Sequence, residues 1–393
     1  MTMASSSPFC PLHFPPTFIP IPARQTTHAC FPCNSYIPYN HHSKREFPIA
    51  PVASVPYQPL NLDYLEGEFS GHGVTFEGVG ESCIAKMELQ NGSTATLMLP
   101  SGLITSYKSP MWHGEKMELL HTAVSEGEDG QAIIQGGVSL NFNFQTDDGE
   151  ISWSPTNWVL RDVKGNPEES IQVELISRTL EDMVELKHSV TLRGDTLRSE
   201  LEVTNSRSLP IQMAGSILSH LTVSTPDATY AVGLERSDYC SKPPFASEFF
   251  LSPPDFSQEG LGKVWNLLAQ KQLFPHWGAK NQDYNQAESS QLESHGDANV
   301  EEMDNYKHLG ERMSLIYTNA PRSYTVIDRG RRNSVLVGRN GFDEMYLFSP
   351  GSSVEIYSKY AYICVGQAAV LKPVLLKPEC VWIGGQSIHN PNQ

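Results

Sequence analysis

From about residue 75 onward the chain alternates. Apolar and polar positions trade places every second residue in short runs, and Gly, Asn and Asp separate the runs. "STATLMLP", "QAIIQGGVSLNFNF", "IQVELISRTL", "RSYTVID", "NSVLVGR" and "EMYLFSP" carry this period-two or β-branched signature, which places successive side chains on opposite faces of a strand. In "VELKHSVTLRGDTLRSELEVTN" the Arg193-Gly194-Asp195 turn joins two alternating segments and predicts a hairpin. Many closely spaced strands with almost no helical period predict an all-β fold, a sandwich or barrel.

One stretch breaks the pattern. Residues 241–305 contain Pro243-Pro244, Pro253-Pro254 and the polar acidic run "NQDYNQAESSQLESHGDANVEEMDN". That run holds too little apolar surface to order itself and predicts a partly disordered insertion. Inside it, "QEGLGKVWNLLAQKQLF" sets Leu261, Val264, Trp265, Leu268 and Phe274 near helical spacing. Such a short helix either packs back onto its own sandwich or docks into a partner's groove.

The first 50 residues follow a different rule. They hold Arg24, Lys44 and Arg45 against one acid, Glu46, and are rich in Ser, Thr, Pro and His. This composition predicts an organellar transit peptide, plastid rather than mitochondrial because arginine is sparse. The expected plan is a transit peptide over 1–50, an N-terminal extension over 51–74 and one β domain over 75–390, interrupted by the insertion.

The formal net charge of −16 over 393 residues argues against nucleic-acid partners. No apolar run is long enough to cross a bilayer, so membrane association is expected to go through a protein partner. Cys10, Cys30 and Cys33 fall in the presequence, and Cys83, Cys240, Cys364 and Cys380 are scattered like reduced buried thiols. Gly71-His72-Gly73 lacks a third glycine and leads into a strand, and Asn91-Gly-Ser93 reads as a turn. Neither a P-loop nor metal-ligand spacing occurs, so no cofactor and no metal are expected.

Read in order, the β segments resemble the aldose-1-epimerase superfamily, and the hexose-6-phosphate mutarotases within it. "LMLPSGLITSYKSP…EKMELLHT" is similar to the family's opening hairpin, and "QAIIQGGVSLNF" to its Arg-Gly-Gly-Ile-Pro segment. "SILSHLTVSTPDATYAVGLE" is similar to the strand that ends in Gly-Leu-Glu. "SLIYTNAPRSYTVIDRGRRNSVLVGRNGFDEMYLFSPGS" resembles the Gly-Arg-Arg region, and "AYICVGQAAVLKPVLLKPE" the final Cys-Val-Glu hairpin. The resemblance implies a galactose mutarotase-like supersandwich, a large twisted β-sandwich with a sugar on its concave face.

In that family a carboxylate takes the proton of the anomeric hydroxyl while a histidine donates one to the ring oxygen. Groups of this kind contribute about 10²–10⁴-fold each. By resemblance, Gly366 stands where the family has its glutamate base, and Leu218 where it has its acid histidine. His220 lies two residues along, roughly 6–7 Å away at strand rise, and Gln367 points to the opposite face. Gln135 corresponds to the arginine of Arg-Gly-Gly, and Glu150 and Ser154 to the His and Arg of His-Gly-Phe-Ala-Arg.

The pattern implies a fold retained without its catalysis. It resembles the plant mutarotase-like peripheral subunits of the chloroplast NADH dehydrogenase-like complex. That implies a stroma-facing thylakoid location, other subunits of the complex as partners and a part in cyclic electron flow around photosystem I. The alternatives are a plastid hexose-6-phosphate 1-epimerase using His220, or a sugar-binding module in which Trp112, Trp153 or Trp158 stacks on a pyranose. The candidate partner contacts are Leu261, Val264, Trp265, Leu268 and Phe274.

Overall fold

Alternation in the sequence becomes alternation in burial. Along Val74–Val79 (β1), Val74 and Phe76 are buried while Thr75 and Glu77 face solvent. The structure, a computed structural model, describes residues 61–79, 82–126, 132–146, 152–179, 183–242, 244, 300–352 and 361–392. The expected transit peptide, Glu150 and the candidate helix with Leu261, Val264, Trp265, Leu268 and Phe274 lie outside the described residues. All described residues belong to one compact unit, Tyr57–Gln393.

After helix α1 (Leu62–Phe69) and β1 come β2 (Ser82–Glu88), β3 (Thr94–Leu99), β4 (Leu103–Pro110) and β5 (Lys116–Glu118). β6 (Thr122–Glu126) and β7 (Ala132–Gly136) form a hairpin, followed by β8 (Val138–Gln145) and β9 (Ser152–Trp153). A meander of β10 (Val159–Asn166), β11 (Ser170–Arg178), β12 (Val184–Arg193) and β13 (Thr196–Asn205) leads to β14 (Ile211–Thr222), β15 (Thr229–Val232) and β16 (Asp238–Ser241). Beyond the insertion run β17 (Val300–Glu301), β18 (Tyr306–His308), β19 (Met313–Thr318), β20 (Ser323–Asp328) and β21 (Asn333–Asn340). β22 (Glu344–Ser349), β23 (Tyr362–Leu376) and β24 (Cys380–His389) complete the described strands.

These strands form two large antiparallel sheets. Thirteen strands make one, in the order β1-β2-β3-β4-β8-β14-β23-β22-β19-β16-β17, with β5 on β4 and β9 on β8. Nine make the other, ordered β10-β11-β12-β13-β24-β21-β20-β15-β18. A single apolar core joins them: Leu97, Ile217, Met345 and Val365 from the first meet Val190, Leu201, Val337 and Ile388 from the second. The predicted all-β sandwich is present, and the Arg193–Asp195 turn closes the β12–β13 hairpin as the alternation requires.

Two features depart from the sequence pattern. Helix α1 is not announced by the alternation; Asn61 caps it by accepting from the Tyr64 amide at 3.2 Å, and Leu62, Leu65 and Phe69 pack on the core. The described chain also rejoins the sandwich at Val300, inside the stretch read as insertion. There Asp238 pairs with Glu301 and Tyr239 with Val300. The next residue, Glu302, is buried and accepts from the Tyr317 hydroxyl at 2.8 Å and the Lys307 ammonium at 3.0 Å.

The Gly330-Arg331-Arg332 motif has a structural use. Asp328 accepts from the amides of Ser224, Gly330 and Arg331, which fixes the β20–β21 turn. The Arg331 guanidinium then donates to the carbonyls of Thr222 at 2.8 Å and Glu118 at 2.7 Å. One side chain thus ties the end of β14 to β5. Arg331→Ala leaves two carbonyls without that donor and should lower the unfolding free energy by roughly 2–3 kcal/mol. Arg331→Lys should recover less than half, because an ammonium does not present the planar fork. Urea melts of the three proteins measure this; full recovery by lysine would show that charge alone is at work.

Candidate functional site: the sheet face around Gly366

Register places the first two predicted positions in direct contact. Leu218 on β14 pairs with Gly366 on β23, and Gly366 pairs on its other side with Tyr346 on β22. The row continues through Ile316 on β19 to Cys240 on β16. Paired residues share a face. With Tyr362, Cys364 and Phe348 from adjacent rows, the side chains of this row form a second apolar cluster, separate from the main core. The residues between them, Ile217, Val365 and Met345, point into the main core. Gln367 does the same: fully buried, it donates from Nε2 to the Gly338 carbonyl at 3.4 Å, on the face opposite Gly366.

Glycine at 366 has a steric reason. A Cβ built there would lie 2.2 Å from the Ile217 carbonyl oxygen and 2.8 Å from Leu218 Cδ2. The β14 backbone occupies the space a side chain needs. Absence of the carboxylate and close approach of the two strands are therefore one feature, since any residue but glycine forces the strands apart.

The nearest carboxylate in register on this face is Glu344, two residues from Tyr346 and opposite Ala368. It is buried, and it accepts from three successive amides: Val370 at 2.8 Å, Leu371 at 3.0 Å and Lys372 at 2.6 Å. Both oxygens are committed to backbone. No signal in the sequence sets Glu344 apart from other acids, and its role follows only from the register.

The histidines behave as core residues. His220 is buried with Nδ1 3.4 Å from the Gly137 carbonyl, and burial pushes its pKa down to about 4. His121 stacks on Tyr362 with ring centroids 5.4 Å apart, and burial likewise lowers its pKa to about 4. Backbone bonds lock the pair: His121 N donates to His220 O at 2.8 Å, and His220 N to Gly137 O at 2.8 Å. An imidazole neutral from pH 4 upward is poorly matched to protonating a ring oxygen near pH 7. Burial also raises the Cys364 thiol pKa, which keeps it a protonated core residue.

Only part of the predicted set converges. Gln135 is half-buried on β7 opposite Ala123, which packs against the second cluster, so it flanks this face. Ser154 does not join it. It is exposed next to β9, whose register sets it beside Asn143, four residues along β8 from the Ser139 that faces Leu218. At strand rise that is roughly 14 Å. Of the tryptophans, Trp158 is buried core, Trp153 packs on Phe144 at 5.4 Å between centroids, and Trp112 is exposed.

Comparison with known proteins places this geometry. Protein NDH-dependent cyclic electron flow 5 of Arabidopsis thaliana is 44% identical over 348 residues, 88% of this chain and 86% of that one. The chain belongs to that family. Among solved structures, the proposed mutarotase YeaD from Salmonella typhimurium matches 81% of this chain and 94% of its own at a TM-score of 0.53 with 11% identity. A galactose mutarotase-like protein from Clostridium acetobutylicum matches 81% and 98% at 0.50 with 12% identity. At such identities these two establish the fold alone: it is galactose mutarotase-like, as the ordered motifs imply. No family model matches the chain.

Two measurements bear on this face. Gly366→Glu should not create anomer exchange above the wild-type level and should destabilise by at least the ~1–3 kcal/mol of overpacking, read by polarimetry with glucose 6-phosphate and by thermal melting. A stable, active variant would overturn the steric account. Second, His121, His188 and His220 have folded pKa values of about 4, 3 and 4 against 6.5 for the free side chain. Between pH 6.5 and 4 the unfolded chain takes up protons that the folded one refuses, so this contribution is complete above pH 6.5 and is lost as pH falls. The melting temperature should drop across that window, and His220→Gln should flatten the drop.

Proposed function

We propose that this protein is a non-catalytic, mutarotase-fold subunit of the chloroplast NADH dehydrogenase-like complex, supporting assembly or stability of the peripheral subcomplex in cyclic electron flow around photosystem I. The non-catalytic half of the reading rests on one observation: at Gly366 the β14 backbone fills the space a base would need, and Leu218 lies directly opposite. The assignment to the complex is supported by the 44% identical relative, whose name places it in NDH-dependent cyclic electron flow. The loss of the family's catalytic pair, Gly366 and Leu218 in place of Glu and His, is part of this proposal, as is the altered basic site at Gln135, Glu150 and Ser154.

The setting belongs to the same proposal. Residues 1–50 direct the chain to the plastid, and the mature protein sits on the stromal side of the thylakoid membrane. None of the helices among the described residues is long and apolar enough to cross a membrane, in keeping with attachment through other subunits. The segment bearing Leu261, Val264, Trp265, Leu268 and Phe274 is one proposed contact. Redox chemistry resides elsewhere in the complex in this reading.

Non-denaturing electrophoresis of detergent-solubilised thylakoids with immunodetection tests the reading. The protein should migrate with the large NADH dehydrogenase-like assembly, and Trp265→Asp/Leu268→Asp should release it while its melting temperature stays unchanged. Migration of the wild type as a monomer would sink the subunit reading. Retention of the double variant would remove only the insertion contact.

A further inference from the structure

The strand that carries Gly366 also carries an unusual corner. Between Ala369 and Val374, β23 contains four residues where its partner β14 contains one, Ala214, because Gly215 pairs with Ala369 and Met213 with Val374. The extra residues form a bulge, and such bulges re-aim side chains and end pairing. Three consecutive amides of this bulge, those of Val370, Leu371 and Lys372, converge on the Glu344 carboxylate. Successive N–H groups of this kind make an anion-binding nest, here filled by the protein's own buried acid.

The consequence is a projecting knuckle. Val370 and Leu371 are 37% and 41% exposed, and Leu375 on the same strand is 56% exposed, although residues 361–369 immediately before them are all buried. Leu371 and Lys372 line a cleft of about 740 Å³ together with Arg322, Arg339, Asp343 and Glu344. Arg339 is part of the framework: its guanidinium donates to the carbonyls of Pro321, Phe342 and Ala320. Arg322 is exposed and has no acidic partner among the described residues.

The charges of this cleft leave a surplus. Glu344 keeps its charge while three amides solvate it, and Asp343 pairs with Lys372 at 3.6 Å, with both side chains more than three-quarters exposed, so that this pair is weak and leaves Lys372 free to exchange partners. Arg322, Arg339 and Lys372 thus face Asp343 and Glu344, a surplus of one positive charge on a chain whose formal net charge is −16. An acidic body presents few places where an acidic partner can approach without repulsion, and complementary charge selects such places.

We propose that this knuckle and cleft form a docking surface for an acidic segment of a neighbouring subunit, its carboxylates against Arg322 and Lys372 and an apolar side chain against Val370 and Leu371. This rests on the subunit reading above. The fixed bulge presents the surface already shaped, so little ordering entropy is lost on binding.

Arg322→Glu/Lys372→Glu tests it, with Lys108→Glu on the exposed side of β4 as a single charge reversal elsewhere. Both substitutions alter exposed side chains and keep the Lys372 amide, so melting temperatures should match the wild type. In solubilised thylakoids the double variant should lose at least ten-fold of its co-migration with the large assembly, whereas Lys108→Glu should keep it. Raised ionic strength should release the wild type in the same way. Full co-migration of the double variant beside co-migrating wild type would overturn the surface and leave the subunit reading standing. Wild type that runs alone would end both. Binding to protein-free vesicles of anionic lipid, lost in the double variant, would replace the protein partner by a lipid surface and also overturn the proposal.

Discussion

Strands β14 and β23 approach so closely at Leu218 and Gly366 that no side chain fits between one backbone and the other. The rest of the large sheet is organised around this contact. Both strands sit at its centre, and their alternate residues supply the main core on one side and the second apolar cluster on the other. A sheet covered on both faces reads in sequence as an unbroken apolar run, not as alternation. "AYICVGQAA" is such a run, and every residue from 361 to 369 is buried.

That double burial decides what the face can do. A sugar site needs polar groups held ready on the concave side, and each is costly to desolvate unless it is paired. Here the corresponding row offers Leu218, Tyr346, Ile316 and Cys240. Fully burying an aliphatic or aromatic side chain contributes about 1.5–3 kcal/mol relative to exposure, so this row stabilises the sheet. The polar groups that stay nearby are turned to structure. Glu344 shapes a bulge, His220 lies against the Gly137 carbonyl, and Arg331 ties the end of β14 to β5.

Most of the fold was legible because strand alternation and turn chemistry are local. The Arg193–Asp195 hairpin and the strands on either side need nothing beyond their own residues. The Leu218–Gly366 pairing has another source: the resemblance assigns both residues to one site, and the register sets them opposite each other. Ser154 shows the limit of that resemblance. Counting along the chain assigns it a role, whereas the register of β9 sets it beside Asn143, four residues along β8 from Ser139 and roughly 14 Å from the row at strand rise. Helix α1 left a faint signal in Asn61 and the spacing of Leu62, Leu65 and Phe69, too short to register as a period. Glu344 left none, since a carboxylate that accepts three amides is chemically identical in sequence to one that faces water.

Gly366 and the shape of the bulge are linked through geometry. Glu344 lies one row from Gly366 on the same face, and in that position a carboxylate either stays free for chemistry or binds the backbone beside it. Three amides at hydrogen-bond distance settle the matter in favour of the backbone, because a buried carboxylate is tolerable only when its lone pairs are filled. Once it is so committed, the strand must leave its pairing after Ala369 and expose Val370 and Leu371. The buried Glu344 thus becomes the support of an outward-facing corner, and the strand that packs so tightly at Gly366 exposes Val370 and Leu371 a few residues on.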